Sequence, residues 1–249
     1  MLAVKDYIDI LKFYEESGVD ESYGVEPYSF FADKSNIFVK EIEPTPKKAG
    51  VNVSILKARQ EAEKLVETVD NLTALQQCVS SFTLNPLSKF ASHCIYGVGV
   101  ENPKLLVITE MPNAEEDRSG EAICGATGEM FKKILSAIHC SVLENTYTFP
   151  VSPFRTPGAR LPTSEEMEIA IPFVKKFIEI LKPKVILTMG GLPTNVLLSQ
   201  NQPVTAMRGK WFEYNGIPVM PTFSLAYLLN NIEAKRKAWA DLQLLAEKF

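Results

Sequence analysis

Residues 105 to 128 read LLVITEMPNAEEDRSGEAICGATG, and they are the clearest indication of the fold class. Its first five residues, Leu105–Thr109, are apolar or β-branched without interruption, which is typical of a short strand buried on both faces. The polar and glycine-bearing residues 110 to 128 indicate a loop, and residues 129 to 138 carry apolar side chains at helical spacing. A strand that leads through a loop into a helix is the first half of a parallel β-α-β unit.

The same alternation of strands and helices continues to the C-terminus. Strands are predicted over residues 146–149, 185–189 and 217–221, and helices over residues 164–181, 192–198 and from 232 towards 249. Crossovers between such strands are right-handed and cover both faces of a parallel sheet. We therefore predict a three-layer α/β/α domain with a central, mainly parallel four-stranded sheet, and a ligand site beyond the carboxyl ends of its strands.

The N-terminal fifth of the chain has a different character. Val4, Ile8 and Leu11 recur at helical spacing, whereas residues 43 to 50 read EPTPKKAG, which is typical of a linker. A second helical stripe starts at Ile55. We predict an N-terminal helix, arm and linker over residues 1–50 and one α/β domain over residues 51–249.

Composition excludes several classes of protein. The chain has 249 residues, 46% of them hydrophobic, which is enough for one globular domain, and no apolar stretch approaches the roughly 18 residues of a membrane-spanning helix. None of the four cysteines lies in a C-x-x-C pair, and the first residues carry acids where a secretory signal needs an apolar run, so we expect a cytoplasmic protein. The net charge of -4 gives no global attraction to nucleic acid and leaves room only for a local basic groove. We expect a monomer.

Five motifs follow the predicted strands in order. They are TEMPNAEED (109–117) with GEAICGATG (120–128), PVSPFRTPGAR (150–160), MGG (189–191), RGKW (208–211) and TFSLAYLL (222–229). In order and spacing they resemble the motifs of the uracil-DNA glycosylase superfamily, in particular its family-4 branch, which carries an iron–sulfur cluster. The resemblance covers about residues 66 to 249. It implies a base-excision DNA-repair hydrolase that cleaves N-glycosidic bonds in DNA with a damaged or deaminated base.

The base pocket departs from that pattern at three positions. The resemblance places Ile123 where the family has a stacking Phe, Pro150 where an Asn reads the uracil edge, and Ser224 where a His donates to the departing base. Isoleucine has no π face, proline has no donor, and serine is a short neutral donor. Loss of one such donor typically costs about 100- to 1,000-fold in rate. We therefore expect excision of uracil to be weak or absent.

Carboxylates remain in the first motif. Glu110 is our first choice for the group that orients or deprotonates the attacking water, with Asp117 as a second catalytic candidate. Ser224 or Asn113 would contact the base. The alternative interpretation is that these carboxylates cap the following turn or are exposed to solvent, without a role in catalysis.

Two other functions stay open. A catalytically inactive DNA-binding or protein-binding descendant needs no polar pocket and would fill it with Met111, Ile123 and Pro150. A nucleoside or nucleotide binder would use the glycine-bearing loop at residues 125 to 128, which lacks the G-K-[ST] of a P-loop.

No iron–sulfur cluster or other cofactor is expected. Cluster ligation requires thiolates at fixed places, and the resemblance puts the four ligand positions at Phe82, Asn85, Ala170 and Thr188. The two histidines show no metal-ligand spacing either.

Basic side chains on the loops indicate contact with DNA phosphates. The candidates are Arg155, Arg160, Arg208 and Lys210, with Gly209 allowing close backbone approach. Leu225 replaces a proline in the loop that the family inserts into the duplex, and an apolar wedge suits the opening of a base step.

Overall fold

The structure, a computed structural model, describes residues 53 to 248. The predicted arm and the domain boundary near residue 50 lie outside the described residues.

The described helices and strands follow one another as predicted, with additions. They are α1 (Val53–Glu67), α2 (Leu72–Ser81), a 3-10 turn (Pro86–Lys89), β1 (Val98–Gly99), β2 (Leu105–Thr109), α3 (Ala114–Ser119), α4 (Gly125–Ala137), β3 (Thr146–Pro150), a 3-10 turn (Pro157–Ala159), α5 (Ser164–Leu181), β4 (Val185–Met189), α6 (Gly191–Leu198), α7 (Val204–Met207), β5 (Phe212–Tyr214), β6 (Ile217–Thr222), α8 (Leu225–Asn230) and α9 (Ile232–Ala246).

The sheet has six strands in the order β1-β3-β2-β4-β6-β5. The four predicted strands form its parallel centre. The predicted number of strands is wrong because β1 and β5 pair antiparallel at the two edges. These edge strands span only two and three residues, too few to produce a hydrophobic period in the sequence.

Side chains alternate between the two faces of the sheet, and each face is covered by helices. Leu106 and Ile108 of β2 lie in a core cluster with residues of α1, α2 and α5. Leu105 and Val107 lie in a second cluster with residues of α4, α8 and α9. The mixed α/β prediction with helices on both faces is confirmed.

Two of the predicted loops contain helices. Residues 110 to 128 include α3, whose sequence AEEDRS has no apolar period, and the first turn of α4. Residues 222 to 229 include most of α8. No helix in residues 53 to 248 is long and apolar enough to cross a membrane.

Strand register aligns the ends that carry the motifs. Thr109 of β2 pairs with Pro150 of β3, and Met189 of β4 pairs with Thr222 of β6. Glu110, Gly190 and the residues after Thr222 therefore leave the same edge of the sheet.

Candidate active site

A small cavity of about 70 Å³ lies beyond the carboxyl ends of β2 and β6. It is lined by Thr109, Glu110, Met111, Asn113, Glu116, Ile123, Thr127, Ser224, Leu225 and Ala226. Six residues predicted from the sequence thus meet here: Glu110, Met111, Asn113, Ile123, Ser224 and Leu225. The cavity is formed by the first and last motifs.

Glu110 is the half-buried acid of this cavity. Its carboxyl group lies against Gly190, where an added Cβ would collide with Oε1. Burial raises the pKa of Glu110, and hydrogen bonds from the Ser224 hydroxyl and from the backbone N–H groups of Leu192 and Gly191 counteract the rise. Those two N–H groups belong to the first turn of α6, which favours negative charge. The site therefore solvates the ionised carboxylate with fixed donors in place of water.

Ser224 joins two parts of the structure. As the N-cap of α8, its Oγ accepts the Tyr227 N–H at 3.3 Å. Its hydroxyl remains available as a donor and shares a cavity with the Glu110 carboxyl group, whose pKa it lowers. Ser224 thus lies beside the candidate catalytic acid.

Glu116 fixes the conformation of the loop that contains the first motif, residues 110 to 128. Its carboxylate is buried and accepts the N–H of Asn113 at 2.8 Å and the N–H of Ile123 at 2.7 Å. Burial raises the pKa of Glu116, and these two bonds oppose the rise. The capping-box spacing of Asn113 and Glu116 is the sequence signal that would have found this role.

Asn113 is engaged at both ends of its amide. Oδ1 accepts the N–H groups of Glu115 and Glu116, and Nδ2 donates to Thr127 Oγ1 at 3.2 Å. The sequence does not single out Thr127, because a lone threonine between two glycines carries no signal of its own. The second Nδ2 hydrogen is the donor through which Asn113 would contact a base.

Ile123 has an unusual backbone conformation. Its φ of 56° is positive, which is costly for a β-branched residue. The hydrogen bond from its N–H to Glu116 holds it there, and Gly128 has no Cβ that would collide with its carbonyl oxygen. Its side chain lines the cavity in this fixed orientation.

Two predicted residues lie outside the cavity wall. The buried Asp117 accepts the Ser92 N–H at 2.8 Å and the His93 N–H at 3.3 Å, so it ties α3 to the preceding segment. Pro150 ends β3 and lines a different, very small cavity among apolar side chains. Their assigned roles stay predictions.

Comparison with known proteins identifies the family. Residues 96–243 match the family model described as Uracil DNA glycosylase superfamily. The chain belongs to this superfamily. A type-4 uracil-DNA glycosylase of Thermotoga maritima is 30% identical over 173 residues, covering 68% of this chain and 85% of that protein. One of Sulfurisphaera tokodaii is 25% identical over 187 residues, covering 72% and 85%. A DNA polymerase of Bacillus phage SP01 is 25% identical over 163 residues, covering 66% of this chain and 18% of the polymerase.

The four positions that the resemblance to the family-4 branch predicts as cluster ligands hold side chains of other chemistry. Phe82 packs edge-on against Phe173, with ring centroids 5.3 Å apart, and Ala170 is buried in α5. Asn85 accepts the Leu87 N–H at 3.0 Å. Thr188 Oγ1 lies 2.8 Å from the hydroxyl of a threonine on α6. None of these side chains supplies a thiolate, so they do not fit an iron–sulfur cluster, and residues 53 to 248 contain no other cluster of potential metal ligands.

Two of the predicted DNA-binding arginines are paired within the protein. Arg160 forms two hydrogen bonds to the Glu166 carboxylate, at 2.8 and 2.5 Å. Arg208 binds Asp241 through Nε at 3.1 Å and Nη2 at 2.6 Å, and the same carboxylate accepts the Thr222 hydroxyl at 2.7 Å. Each guanidinium would have to exchange a carboxylate for a phosphate before it bound DNA.

The remaining loop cations are placed differently. Lys210 is exposed and donates only to the Ala206 carbonyl, at 2.8 Å. Gly209 has a φ of 69°, and an added Cβ would stand 2.6 Å from Asp241 Oδ1, so this glycine allows close approach to a carboxylate. Arg155 is half-buried, and its buried Nε has no hydrogen-bond partner within residues 53 to 248. Arg155 and Lys210 are the candidates whose charge is not paired with a described acid.

Leu225 lies inside the protein. It is 8% exposed and packs in the cluster beneath α8, whereas Tyr227, two residues later, is 50% exposed. Its role as a wedge stays a prediction. In this conformation Tyr227 is the large side chain that the loop presents to solvent.

Proposed function

We propose that this protein is a DNA glycosylase that hydrolyses the N-glycosidic bond of a damaged base other than uracil. The observation that carries the proposal is the placement of Glu110 beside Ser224 in one cavity at the carboxyl ends of the strands. Membership of the superfamily and relatives named type-4 uracil-DNA glycosylase support the reaction class.

The cavity has room for the nucleophile. A single water needs about 10–15 Å³ of such space, so about 70 Å³ admits a water beside Glu110. In the proposed reaction the water oxygen forms a bond to the anomeric carbon as the bond to the base nitrogen breaks, and the base leaves with the electron pair. The Glu110 carboxylate takes the water proton and stabilises positive charge on the sugar.

Departure of the base has weak assistance in this site. Ser224 supplies a single neutral hydroxyl to the cavity. A substrate whose base is already a good leaving group needs less help, because less negative charge must be stabilised in the transition state. This supports a damaged base that leaves more readily than uracil.

We further propose that the protein binds DNA without an iron–sulfur cluster. Arg155 and Lys210 would contact phosphates, since neither pairs with a described acid. The absence of thiolates at residues 82, 85, 170 and 188 supports a cluster-free protein. Protein purified without exposure to oxygen should contain no stoichiometric iron; stoichiometric iron with a visible charge-transfer band would contradict this.

The decisive experiment measures abasic-site formation in end-labelled oligonucleotides. Substrates carry uracil, hypoxanthine, xanthine or an oxidised base, in single-stranded and double-stranded form. Glu110→Gln should lower excision by roughly 100- to 10,000-fold, as expected for loss of a general base. Glu121→Gln is the matched control, since Glu121 is an exposed acid of the same loop outside the cavity.

The second candidate function is a catalytically inactive DNA-binding descendant. It is favoured by the walls of the cavity, where Met111, Ile123 and Leu225 are apolar and Asn113 and Glu116 are already hydrogen-bonded. Salt-dependent DNA binding without excision of any base, in wild type and in both variants, would establish this function and overturn the first.

A further inference from the structure

Two helices on the face away from α5 present matching stripes of side chains. The stripes are Met130, Lys133, Ile134 and Ala137 on α4, and Lys235, Ala238, Trp239 and Leu242 on α9. Each follows the spacing i, i+3, i+4, i+7, so each occupies one side of its helix. Together with Leu228 of α8 they line a groove of about 220 Å³, here named the α4–α9 groove.

The groove is open and apolar. Ala137 and Ala238 are small, which leaves space between the helices, and Leu228 is buried at its floor. Trp239 is 43% exposed along the wall. Apolar surface of this kind gains free energy when a partner removes it from water.

The charge of the groove has one sign. Its two charged lining residues, Lys133 and Lys235, are basic, and no acid lines it. Their neighbours Lys132 and Arg236 pair with glutamates one turn away on the same helices. Neither Lys133 nor Lys235 forms an ion pair within residues 53 to 248. A partner that enters the groove would gain by bringing carboxylates to its two sides.

We propose that the α4–α9 groove binds an amphipathic helix of another protein, with an apolar stripe flanked by acidic side chains. A groove between two helices accepts a third helix through anchors spaced i, i+3, i+4, i+7. Aliphatic anchors would fill the space beside Ala137 and Ala238 and contact Trp239. Glutamates or aspartates on the flanks would meet Lys133 on one side and Lys235 on the other. The apolar floor disfavours DNA, whose backbone offers phosphates and no apolar stripe.

The test uses a labelled synthetic peptide and the full chain. The peptide has about 18 residues, or about five helical turns, with leucines at i, i+3, i+4, i+7 and glutamates on the flanks. Fluorescence anisotropy measures its binding, and a peptide of the same composition with dispersed leucines controls for charge alone. We expect saturable binding of the patterned peptide and at least about tenfold weaker binding of the dispersed one.

Matched charge reversals locate the binding site on the protein. Lys133→Glu with Lys235→Glu should weaken peptide binding about tenfold or more. Lys132→Glu with Lys237→Glu makes the same change in net charge on the same two helices outside the groove, and should leave binding within about twofold. Trp239→Ala removes a partly exposed side chain from the wall of the groove and leaves the buried core unchanged. This variant should also bind the peptide more weakly.

Three outcomes would overturn the proposal. The first is equal binding of the two peptides. The second is a peptide affinity that falls equally in both lysine pairs, or loss of oligonucleotide binding only in the groove pair, which would assign these lysines to DNA. The third is concentration-dependent dimerisation in sedimentation that Trp239→Ala abolishes, which would make a second copy the occupant. Circular dichroism of each variant verifies that it is folded.

Discussion

The carboxyl group of Glu110 lies against the Cα of Gly190, in space that any side chain on residue 190 would occupy. Gly190 leaves β4 with a φ of 119° and ψ of 167°, a conformation that is essentially restricted to glycine. The same backbone then turns the first N–H groups of α6 towards Glu110. Gly190 therefore leaves room for the Glu110 carboxyl group, and the backbone that follows it supplies N–H donors to that group.

Replacement of Gly190 should affect both stability and chemistry. Gly190→Ala is expected to lower the free energy of unfolding and, by displacing Glu110, to slow excision about 100-fold, since misplacement by about 1 Å costs that much. Gly216→Ala is the control, because Gly216 also has a positive φ, of 81°, but open space around it. The control should lose about 1–2 kcal/mol and keep its activity. Urea unfolding measures the stability of each variant, and the excision assay measures its activity. Equal losses of stability in the two variants would contradict the collision with Glu110.

Loss of the Ser224 hydroxyl should move the pH profile. Hydrogen bonding to the ionised form lowers a carboxyl pKa, so Ser224→Ala should raise the pKa of Glu110 further. The acid limb of the pH–rate profile then moves to higher pH. Ser224→Thr retains the hydroxyl and should restore the profile.

A second N-cap separates this effect from helix capping. Asn231 caps α9 by accepting the Ala234 N–H at 2.9 Å and does not line the cavity. Asn231→Ala and Ser224→Ala should each lose about 1 kcal/mol of stability. Only the serine variant should shift the acid limb, and a shift of the same size in both would assign it to helix capping alone.

Stability of the Glu110→Gln variant should depend on pH with a definite sign. Burial raises the pKa of Glu110 above its ordinary 4.5, so the folded protein prefers the neutral acid. Below that ordinary value the acid is protonated in both the folded and the unfolded protein, so it costs no stability. As pH rises through the folded pKa, the folded protein comes to hold a buried charge and its free energy of unfolding falls. Glutamine stays neutral throughout. The variant should therefore melt at a higher temperature than wild type at about pH 7 and close to wild type at about pH 4.

Calorimetry at the two pH values measures this difference, and comparison of the two proteins cancels the other titrating groups. A variant less stable than wild type at neutral pH would show that the donors from Ser224 and α6 outweigh the cost of burying the charge. The variant is thus expected to be more stable and less active, which is a common relation at sites built for chemistry.

The central strands could be predicted because their pattern is local. Val185–Met189 has the same limits in sequence and structure, since a run of apolar and β-branched residues lies between Lys184 and Gly190. The meeting of Glu110 and Ser224 also followed from strand order, because carboxyl ends of parallel strands share an edge. By contrast, α3 has no apolar period, and only the capping box at Asn113 marks its start.

Partners distant in sequence could not be predicted. The sequence predicts a phosphate contact for Arg208 because this residue stands in a basic loop with glycine. Its carboxylate partner Asp241 is 33 residues away on α9. An acid in an amphipathic helix carries no sign of burial in the sequence. Leu225 was likewise expected at the surface, and its burial depends on how α8 packs against α4 and α9.

The Arg208 and Asp241 pair allows a direct test of structural against DNA-binding roles. Asp241 is 2% exposed, so Arg208→Met leaves a buried carboxylate without its cation and should cost about 3–5 kcal/mol. Arg208→Met combined with Asp241→Asn removes both charges and should recover part of that loss. Arg160→Met breaks a pair in which the arginine side chain is 44% exposed, and should destabilise the protein less than Arg208→Met does.

The double variant then isolates the contribution of Arg208 to DNA binding. A phosphate contact adds about 1 to the slope of log affinity against log salt. Because the guanidinium is held by Asp241 and lies 5.2 Å from the Phe223 ring centroid, we expect that slope to be unchanged in Arg208→Met with Asp241→Asn. Lys210→Met should reduce it by about 1, since its ammonium pairs with no described acid. A reduced slope in the double variant, measured well below its melting temperature, would show that the arginine leaves Asp241 to bind phosphate.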